Sequence, residues 1–452
     1  MNKIRSILTG DGVGARAGRS AIWSFAEFGG SQALRLLSNL VLTRLLFPEA
    51  FGLMALVTVV TTCLMLFSDT GVRPSIIQNA RGNDPAFLNT AWTVQVVRGL
   101  LLWLLTLALA QPIAALYDAP LLADILPVVG LTLVIQGFEP TAIHTANRYL
   151  AMGRFTQITL GSQIISLTFT AFLAWQLQSV WALVISNVFS STLQTIAYHV
   201  FLPGLRNRFL LERDAFWQIF HFGKWIFLST AAGAVLLQGD RAILGIFLPL
   251  EALGVYSIGY FLGSIPVLLS NALQQKVVFP LYRMKPPTES AANRITLFRA
   301  RRLIAASLLM LVILLAFAGP TLVDLLYDSR YSAAGPIITL YSLSLVPLVT
   351  LNTINVALMG AGETRGMFFI AGTTALFQTG LLFVGIPALG ISGAILSLGL
   401  AALLSYPLRL YFSLKFSVFD PVQDIGFTLL GLACAAVACA AHWDRVATLF
   451  SH

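Results

Sequence analysis

Charged and amide side chains interrupt apolar stretches that are long enough to cross a membrane. On the first stretch Glu27, Arg35 and Asn39 recur at multiples of four residues, which places them on one helix face. Arg35 lies about 22 Å along the predicted helix, deep within a hydrocarbon core about 30 Å thick. An arginine there costs about 2.5 kcal/mol or more unless it faces protein or water. It could line a cavity that binds a diphosphate, or it could form a structural ion pair with Glu27 or another span.

Three further predicted spans carry charge. Arg98 lies about ten residues into the third span, where a cavity role and a structural role are both open. Asp240 and Arg241 are adjacent and therefore point to different faces of one helix. Asp240 could bind a coupling cation or proton, or pair with an arginine, and Arg241 could contact substrate. Glu139 precedes a proline, which favours a kink that could act as a hinge, as a coupling site or as a purely structural bend.

Three charges are expected at a rim or gate. Arg44 is nine residues from Arg35, about 180° round the helix, so the two cannot share a face. We expect Arg44 to extend towards the interface or to pair with Glu49. Arg148 lies at a predicted cytoplasmic turn, where it could meet an incoming diphosphate, although topology alone also explains a cation there.

The sequence offers no chemistry for an enzyme. Its five histidines have no metal-ligand spacing, and its three cysteines fall in apolar segments as small core residues. It contains no nucleophile–base set, phosphate-binding loop or paired acids. We therefore predict neither a catalytic site nor a metal or cofactor, and we do not expect ATP to be the direct energy source.

Composition indicates an all-α polytopic membrane protein. Hydrophobic residues make up 57% of the 452 positions and charged residues only 10%, whereas soluble domains carry about 25% charged residues. The mean hydropathy is +0.82. Residues 155–205 and 366–408 contain no charge, and each can hold two spans. The net charge of +9 reflects membrane topology and does not indicate nucleic acid.

We predict twelve spans and a further one at the carboxyl end, which either crosses fully or is re-entrant. The predicted spans are 20–46, 50–68, 88–111, 125–147, 155–176, 179–202, 221–248, 252–273, 303–326, 334–360, 366–386, 389–412 and 425–443. A cytoplasmic amino terminus places 22 of the 28 lysines and arginines on the cytoplasmic side and only Arg330 and Arg445 outside. The charge distribution therefore predicts both the orientation and the span count.

A turn recurs along the chain. The segments 49–53 and 251–255 align with an offset of 202, and each follows a proline at the end of an odd-numbered span. Chance similarity of two short turns is the alternative. Because both turns fall on one side, we predict parallel repeats that form two six-helix lobes around a central cavity. The predicted domains are a tail 1–19, an N-lobe 20–202, a linker 203–220, a C-lobe 221–414 and an extra span with its tail 415–452.

The connection 274–302 is strongly basic. We predict that Thr288 caps a short basic helix within it. Such a helix next to the membrane could bind anionic lipid head groups, or it could only fix the orientation of the neighbouring spans.

Three segments carry a family resemblance: LTRLLFPEAFGLMAL (42–56), FSDTGVRPSIIQ (67–78) and the stretch 221–262 with its Asp240–Arg241 pair. They resemble the polysaccharide-transporter (Wzx-type) flippases of the multidrug/oligosaccharidyl-lipid/polysaccharide exporter superfamily. The resemblance covers spans 1–12. It implies a bacterial inner-membrane protein that moves an undecaprenyl-pyrophosphate-linked oligosaccharide to the outer leaflet by alternating access. It also implies a polysaccharide polymerase and export machinery as partners.

We therefore expect a flippase for exopolysaccharide, capsule or O-antigen precursors, with Glu27, Arg35, Asn39, Arg98 and Arg241 as candidate substrate contacts. One alternative is a cation-coupled small-molecule or multidrug exporter of the same superfamily, which should hold carboxylates in its cavity. Another is a membrane-embedded glycosyltransferase or polymerase, but that class needs a large outer loop, which the predicted topology lacks.

Overall fold

A computed structural model describes residues 13–149, 151–361 and 363–450, which are helical almost throughout and contain no strand. This agrees with the predicted all-α class. Backbone N–H and C=O groups find no partner in hydrocarbon, so a helix, which satisfies its own backbone, is the natural solution for such apolar segments. Most of the predicted tail, residues 1–12, lies outside the described residues.

The helices follow one another with short connections. Their bounds are α1 Val13–Leu45, α2 Pro48–Leu66, α3 Val72–Gln78, α4 Pro85–Leu116, α5 Leu122–Gly137, α6 Ala142–Arg148, α7 Met152–Leu177, α8 Trp181–Phe201, α9 Arg213–Phe247, α10 Leu250–Gly263, α11 Ile265–Leu273, α12 Phe279–Met284, α13 Ala291–Leu326, α14 Ala334–Leu351, α15 Thr353–Gly360, α16 Thr364–Leu404, α17 Tyr406–Lys415, α18 Thr428–Ala441 and α19 Trp443–Val446. Short π-helical segments cover Gln274–Val278 and Val422–Phe427, and 3₁₀ turns cover Ser329–Tyr331 and Ala447–Phe450.

Seven helical stretches of the described chain are long and apolar enough to cross a membrane, or nine if two bent pairs each count as one span. α5 and α6 form one bent pair, with an angle of 56°. Within α16, Gly390 has φ 56° and ψ −133°, which breaks the helix at the second residue of the predicted span 389–412. Only glycine adopts such a conformation readily. The count of thirteen remains a prediction.

The chain divides into two compact units: the first contains the chain up to Leu46 and Val57–Ala231, and the second contains Phe47–Leu56 and Ala232–His452. In the first unit, α4 packs closely on α5. A Cβ atom on Gly99 of α4 would lie 2.5 Å from the carbonyl oxygen of Leu133 on α5. Glycine at this position is what allows the two helices to approach. The predicted lobe boundaries remain predictions.

The segment after α8 runs along the amino-terminal end of α4. The backbone N–H groups of Arg208, Leu210 and Glu212 donate to side-chain oxygens of Asn89, Thr93 and Thr90, each at 3.0 Å. These bonds provide hydrogen-bond partners for backbone N–H groups in a connection that has no regular secondary structure.

Arg81 adds charge to this junction. Its guanidinium lies 2.7 Å from a Glu212 carboxylate oxygen and also pairs with Asp84. The pKa of Asp84 is lowered because Arg81 donates to its carboxylate and the backbone N–H of Ala86 donates to it as well. The connection is therefore fixed to the first unit by both backbone bonds and ion pairs.

In the second unit, α14 is the most enclosed helix, and it packs against α10, α13, α16 and α18. In the most apolar window of residues Ser329–Gly360, 83% of the residues are buried. Hydroxyl groups within α14 bond to nearby carbonyls; Ser344, for example, donates to the carbonyl oxygen of Ile395. A helix that is apolar on all sides is expected at the centre of a helical unit.

The two repeated turns contact each other reciprocally within the second unit. A Cβ atom on Gly52 would lie 2.0 Å from the carbonyl oxygen of Leu250, and one on Gly254 would lie 1.9 Å from that of Pro48. Positions 52 and 254, like 48 and 250, are 202 apart, the offset of the sequence repeat. The segments that resemble each other therefore also occupy equivalent places in one contact.

The predicted cap at Thr288 is wrong. The side chain of Ser290 instead accepts a hydrogen bond from the backbone N–H of Asn293 at 3.1 Å. Serine at this position meets the requirement of a helix start equally well. The basic residues that follow are the first turns of α13, which continues without a break to Leu326, and not a separate short helix.

Candidate functional site

A polar cavity of about 220 Å³ lies inside the first unit, where the end of α2, the middle of α4 and the break between α5 and α6 meet. Its volume is below the range of about 300–1,000 Å³ usual for whole small-molecule ligands. It suits one charged group of a larger ligand, or an ion. Its polar lining residues are Asp69, Arg73, Gln95, Arg98, Gln136, Glu139 and His144.

The proline break positions one wall of this cavity. Pro140 cannot donate a backbone hydrogen bond, so carbonyls before it lose their helical partners. The side chain of Gln95 reaches across from α4, and its Nε2 donates to the carbonyls of Gln136 at 3.0 Å and Gly137 at 3.1 Å. Irregular backbone at membrane depth is tolerated where protein supplies such partners. The bend therefore presents Glu139 to the cavity without leaving its carbonyls unsatisfied.

Arg98 is held at the carboxyl end of α2. Its guanidinium donates to the Ser68 hydroxyl at 3.0 Å and to the carbonyl oxygen of Met65 at 2.6 Å. A cation is favourable at this end of a helix because the unpaired carbonyls carry partial negative charge. These bonds use two of the five N–H donors of the guanidinium, which leaves further donors for a ligand.

The cavity combines two guanidinium groups with two carboxylates and an imidazole. Arg73 and Arg98 balance the formal charges of Asp69 and Glu139. A balanced set costs less to enclose than charges of one sign. An anionic ligand would engage the arginines, whereas a cation would engage the carboxylates, so the lining can bind either class of charged group.

Two sequence candidates, Arg98 and Glu139, thus come together in one place. The candidates on α1 do not line this cavity. They lie along one continuous helix; the Arg35 side chain is exposed, and those of Glu27 and Asn39 are half-buried. The role of α1 in substrate contact stays a prediction.

Asp240 and Arg241 belong to the second unit. Asp240 is 1% exposed and accepts a hydrogen bond of 2.6 Å from the Tyr256 hydroxyl. Arg241 lies over the ring of Tyr260, with its Cζ 3.9 Å from the ring centroid, and it donates to the Gln238 side chain at 3.3 Å. The adjacent charges do take different partners. The second oxygen of Asp240 has no hydrogen-bond partner among the described residues.

Arg148, expected at a rim, holds local structure. Its Nη1 donates to the carbonyls of Ile76 at 2.8 Å and Asn79 at 2.7 Å, and to that of Ile77 at 3.3 Å. These groups lie at the carboxyl end of α3, where helical carbonyls lack partners. Arg44 and Glu49 are both exposed, and the rim role expected of them stays a prediction.

Substituting Arg148 with alanine is expected to lower the free energy of unfolding by about 1–3 kcal/mol, since three partly buried carbonyls lose a charged donor. The apparent Tm of the purified protein in detergent measures this effect. Arg154→Ala is the matched control because Arg154 is exposed. Equal Tm values for the two variants would contradict the capping role of Arg148.

Besides Gln95 and Gln136, three titratable cavity residues were not predicted from the sequence: Asp69, Arg73 and His144. Asp69 and Arg73 lie in the segment 67–78, which attracted notice for its family resemblance and not for its charges. Their spacing of four residues, just after an apolar stretch, was the available signal. His144 was considered only as a metal ligand.

The comparisons with known proteins agree with this architecture. A family model described as "Polysaccharide biosynthesis protein" matches residues 41–336. The teichuronic acid biosynthesis protein TuaB of Bacillus subtilis (strain 168) is 22% identical over 310 residues, which are 68% of this chain but only 64% of TuaB, less than two thirds of that relative. The succinoglycan biosynthesis transport protein ExoT of Rhizobium meliloti (strain 1021) is 23% identical over 369 residues, 81% of this chain and 74% of ExoT.

Among solved structures, the lipid II flippase MurJ in an inward closed conformation has a TM-score of 0.71 at 14% identity, with 92% of each chain covered. This likeness concerns the fold. The fold is that of a polytopic helical membrane protein. The family model covers more than half of the chain, and the protein therefore belongs to the polysaccharide biosynthesis family. The prediction of a transporter and not an enzyme agrees with ExoT, which is named a transport protein. The relatives named above are bacterial, and together with the apolar helices of this chain they indicate a bacterial inner-membrane protein.

Proposed function

We propose that this protein is a flippase that moves an undecaprenyl-pyrophosphate-linked oligosaccharide from the inner to the outer leaflet. Its product would feed exopolysaccharide, capsule or O-antigen synthesis. The observation that carries the proposal is the polar cavity with Arg98 and Arg73 inside a helical membrane unit of a polysaccharide biosynthesis family member.

The chemistry of the substrate explains the need for such a cavity. A diphosphate is a dense anion, and guanidinium groups match its oxygens with paired hydrogen bonds. The sugar hydroxyls cannot enter hydrocarbon unpaired without a large penalty. A protein that moves this head group must therefore supply polar partners at membrane depth, while the lipid tail stays in the bilayer.

In this mechanism the amino terminus is cytoplasmic and the two predicted lobes alternate between inward and outward access. The diphosphate is held by Arg98, with Arg35 and Arg241 as further contacts along the route and Glu27 and Asn39 as neighbouring polar groups. Asp240 and Glu139 are the candidates for a coupling ion, and Arg44, Glu49 and Arg148 lie at the rims. A polysaccharide polymerase and the export machinery act downstream.

The central test is complementation of a deletion strain. Arg98→Ala and Arg35→Ala are each expected to reduce surface polysaccharide at least tenfold at unchanged protein level, because a loss of about 1.4 kcal/mol in binding corresponds to tenfold. Arg98→Lys keeps the positive charge but loses the planar guanidinium, which donates paired hydrogen bonds to a phosphate, and should therefore restore export only in part. Polysaccharide is measured by immunoblot or sugar analysis, and membrane protein by an epitope tag.

Arg154→Ala is the matched control, as an exposed arginine of the same unit outside the cavity. Normal export from Arg98→Ala and Arg35→Ala would remove these arginines from the transport route. Normal surface polysaccharide in the deletion strain itself would overturn the flippase proposal.

A cation-coupled exporter of small molecules is the second candidate, and the carboxylates of Asp69 and Glu139 in the cavity favour it. It predicts that a deletion strain becomes sensitive to cationic drugs while its surface polysaccharide stays normal. Glu139→Gln should then reproduce the drug sensitivity. The flippase proposal predicts the reverse pattern: lost polysaccharide and unchanged drug resistance.

A further inference from the structure

An open groove of about 410 Å³ lies in the second unit between the start of α13 and the end of α17, far in sequence from the polar cavity. Its lining residues are Ala291, Arg294, Ile295, Phe298, Leu414, Ser417 and Phe419. We call it the α13–α17 groove. Its volume is in the range of ligand pockets, and all but a few of its lining side chains are apolar.

The walls of the α13–α17 groove are tied together by ionic contacts behind it. Arg302 on α13 donates two bonds of 2.7 Å to the Asp420 carboxylate, which is fully buried. Arg301 donates to the carbonyl oxygen of Val418. Between the walls, Ser417 has φ 55°, a left-handed conformation that returns the chain towards α13. The groove is therefore a formed feature of the fold and not a gap between loose helices.

The groove carries positive charge without matching acids. The segment 274–302 contains seven lysines and arginines and one acidic residue, Glu289. Arg301 and Arg302 are neutralised by Asp424 and Asp420. Arg294 is exposed, and within the described residues it forms no ion pair. Lys415, which follows Leu414 in the chain, is exposed as well but is not a lining residue, so Arg294 is the cation of the groove lining.

The apolar wall is exposed as well. Ile295 is 52% and Leu414 58% exposed, although both line a concave surface. A soluble anion would make no use of this wall, and a neutral lipid would make no use of Arg294. A ligand that matches both has an acyl chain for the wall and a phosphate for the guanidinium.

We propose that the α13–α17 groove binds one anionic membrane phospholipid, with an acyl chain along Ile295, Phe298 and Leu414 and its phosphate at Arg294. This site lies outside the polar cavity and does not depend on the flippase proposal. The occupant is a resident lipid and not the transported substrate, because the groove opens on an exposed face of the unit. Arg294 belongs to the basic segment 274–302, and such a segment is attracted to the anionic surface of a membrane.

Native mass spectrometry of the full chain tests the proposal. The protein is released from nanodiscs of phosphatidylcholine alone, or of phosphatidylcholine mixed with phosphatidylglycerol or phosphatidylethanolamine, and the retained lipids are counted. We expect one retained phosphatidylglycerol per chain, in preference to the other two lipids. Arg294→Gln should lower this retention about fivefold, the effect of one cation near an anionic lipid.

Arg299→Gln is the charge control, because Arg299 is an exposed arginine of α13 that does not line the groove. Leu414→Ser should lower retention without a change of charge. Its control is Leu303→Ser, since Leu303 is 71% exposed on α13 and lies off the groove. An equal loss in Arg294→Gln and Arg299→Gln would show diffuse surface attraction and overturn the site, as would equal retention of all three lipids.

A competition arm separates the two sources of a lipid phosphate. Farnesyl diphosphate, a short isoprenoid diphosphate, is added to the protein loaded with phosphatidylglycerol. Retention of the phospholipid is expected. If farnesyl diphosphate instead displaces phosphatidylglycerol from the wild-type protein but not from Arg294→Gln, the groove binds the transported substrate, and the proposal of a resident phospholipid is overturned.

Discussion

Replacing Arg301 with alanine is expected to cause the largest loss of stability of any single substitution considered, about 3–5 kcal/mol. Arg301 is 3% exposed and donates to Asp424 at 3.0 Å, to the Thr353 hydroxyl at 2.7 Å and to the carbonyl oxygen of Val418. Without it, Asp424 remains as a buried carboxylate that has lost its cation. The residues just before α18 would then be joined to α13 by an ion pair only through Arg302 and Asp420.

The apparent Tm in detergent measures this loss. The double variant Arg301→Met with Asp424→Leu should recover most of it, because an apolar pair replaces both buried charges. Arg445→Ala is the control: its ion pair with Asp324 is 53% and 44% exposed and should contribute less than about 1 kcal/mol. A Tm for Arg301→Ala equal to that of Arg445→Ala would show that the buried pair does not stabilise the fold.

Alanine at Gly52 or Gly254 is expected to destabilise the protein by about 1–3 kcal/mol or more, since the new methyl group would overlap a backbone carbonyl. Helix propensity alone predicts the opposite sign, a gain of up to about 1 kcal/mol. Gly161→Ala and Gly372→Ala are the matched controls, since a Cβ atom there meets nothing within 4 Å. The two pairs of variants should therefore change the Tm in opposite directions.

The double variant Gly52→Ala with Gly254→Ala sharpens this test. Both substitutions disturb one reciprocal contact, so the second should cost less than the first, and the two effects should not add. Additive losses would mean that each glycine serves a separate contact. Stabilisation by either single alanine would falsify the close approach of the two turns.

The all-helical membrane fold was predictable because its signal is spread over the whole chain: long apolar runs admit few alternatives in hydrocarbon. The break at Pro140 was also predictable, since proline acts locally on the backbone. The start of α13 was not, because Thr288 and Ser290 are both good caps and only the fold decides between them. The π-helical turns at Gln274–Val278 and Val422–Phe427 had no signal that the sequence analysis used.

The candidate site was predictable only in part. Arg98 and Glu139 stood out because each is a charge inside a predicted span, and the fold brings both to one cavity. Which spans meet is a long-range property, so the sequence could not show that Asp69 and Arg73 would join Arg98 at one cavity. Arg148 shows the same limit. Its partners are backbone carbonyls about 70 residues earlier, and every residue has a backbone carbonyl, so the sequence gives no sign of which ones an arginine will bind.

The ion pairs of α13 also order events in time. Asp420 lies 118 positions after Arg302, and Asp424 lies 123 positions after Arg301. At about 5–20 residues per second, the ribosome makes the acidic partners roughly 6–25 s after the arginines. Throughout that interval neither guanidinium has its carboxylate partner, although Thr353, which also accepts from Arg301, is made earlier. The ion pairs that join α13 to the segment before α18 can therefore form only after residues 420–424 have been made.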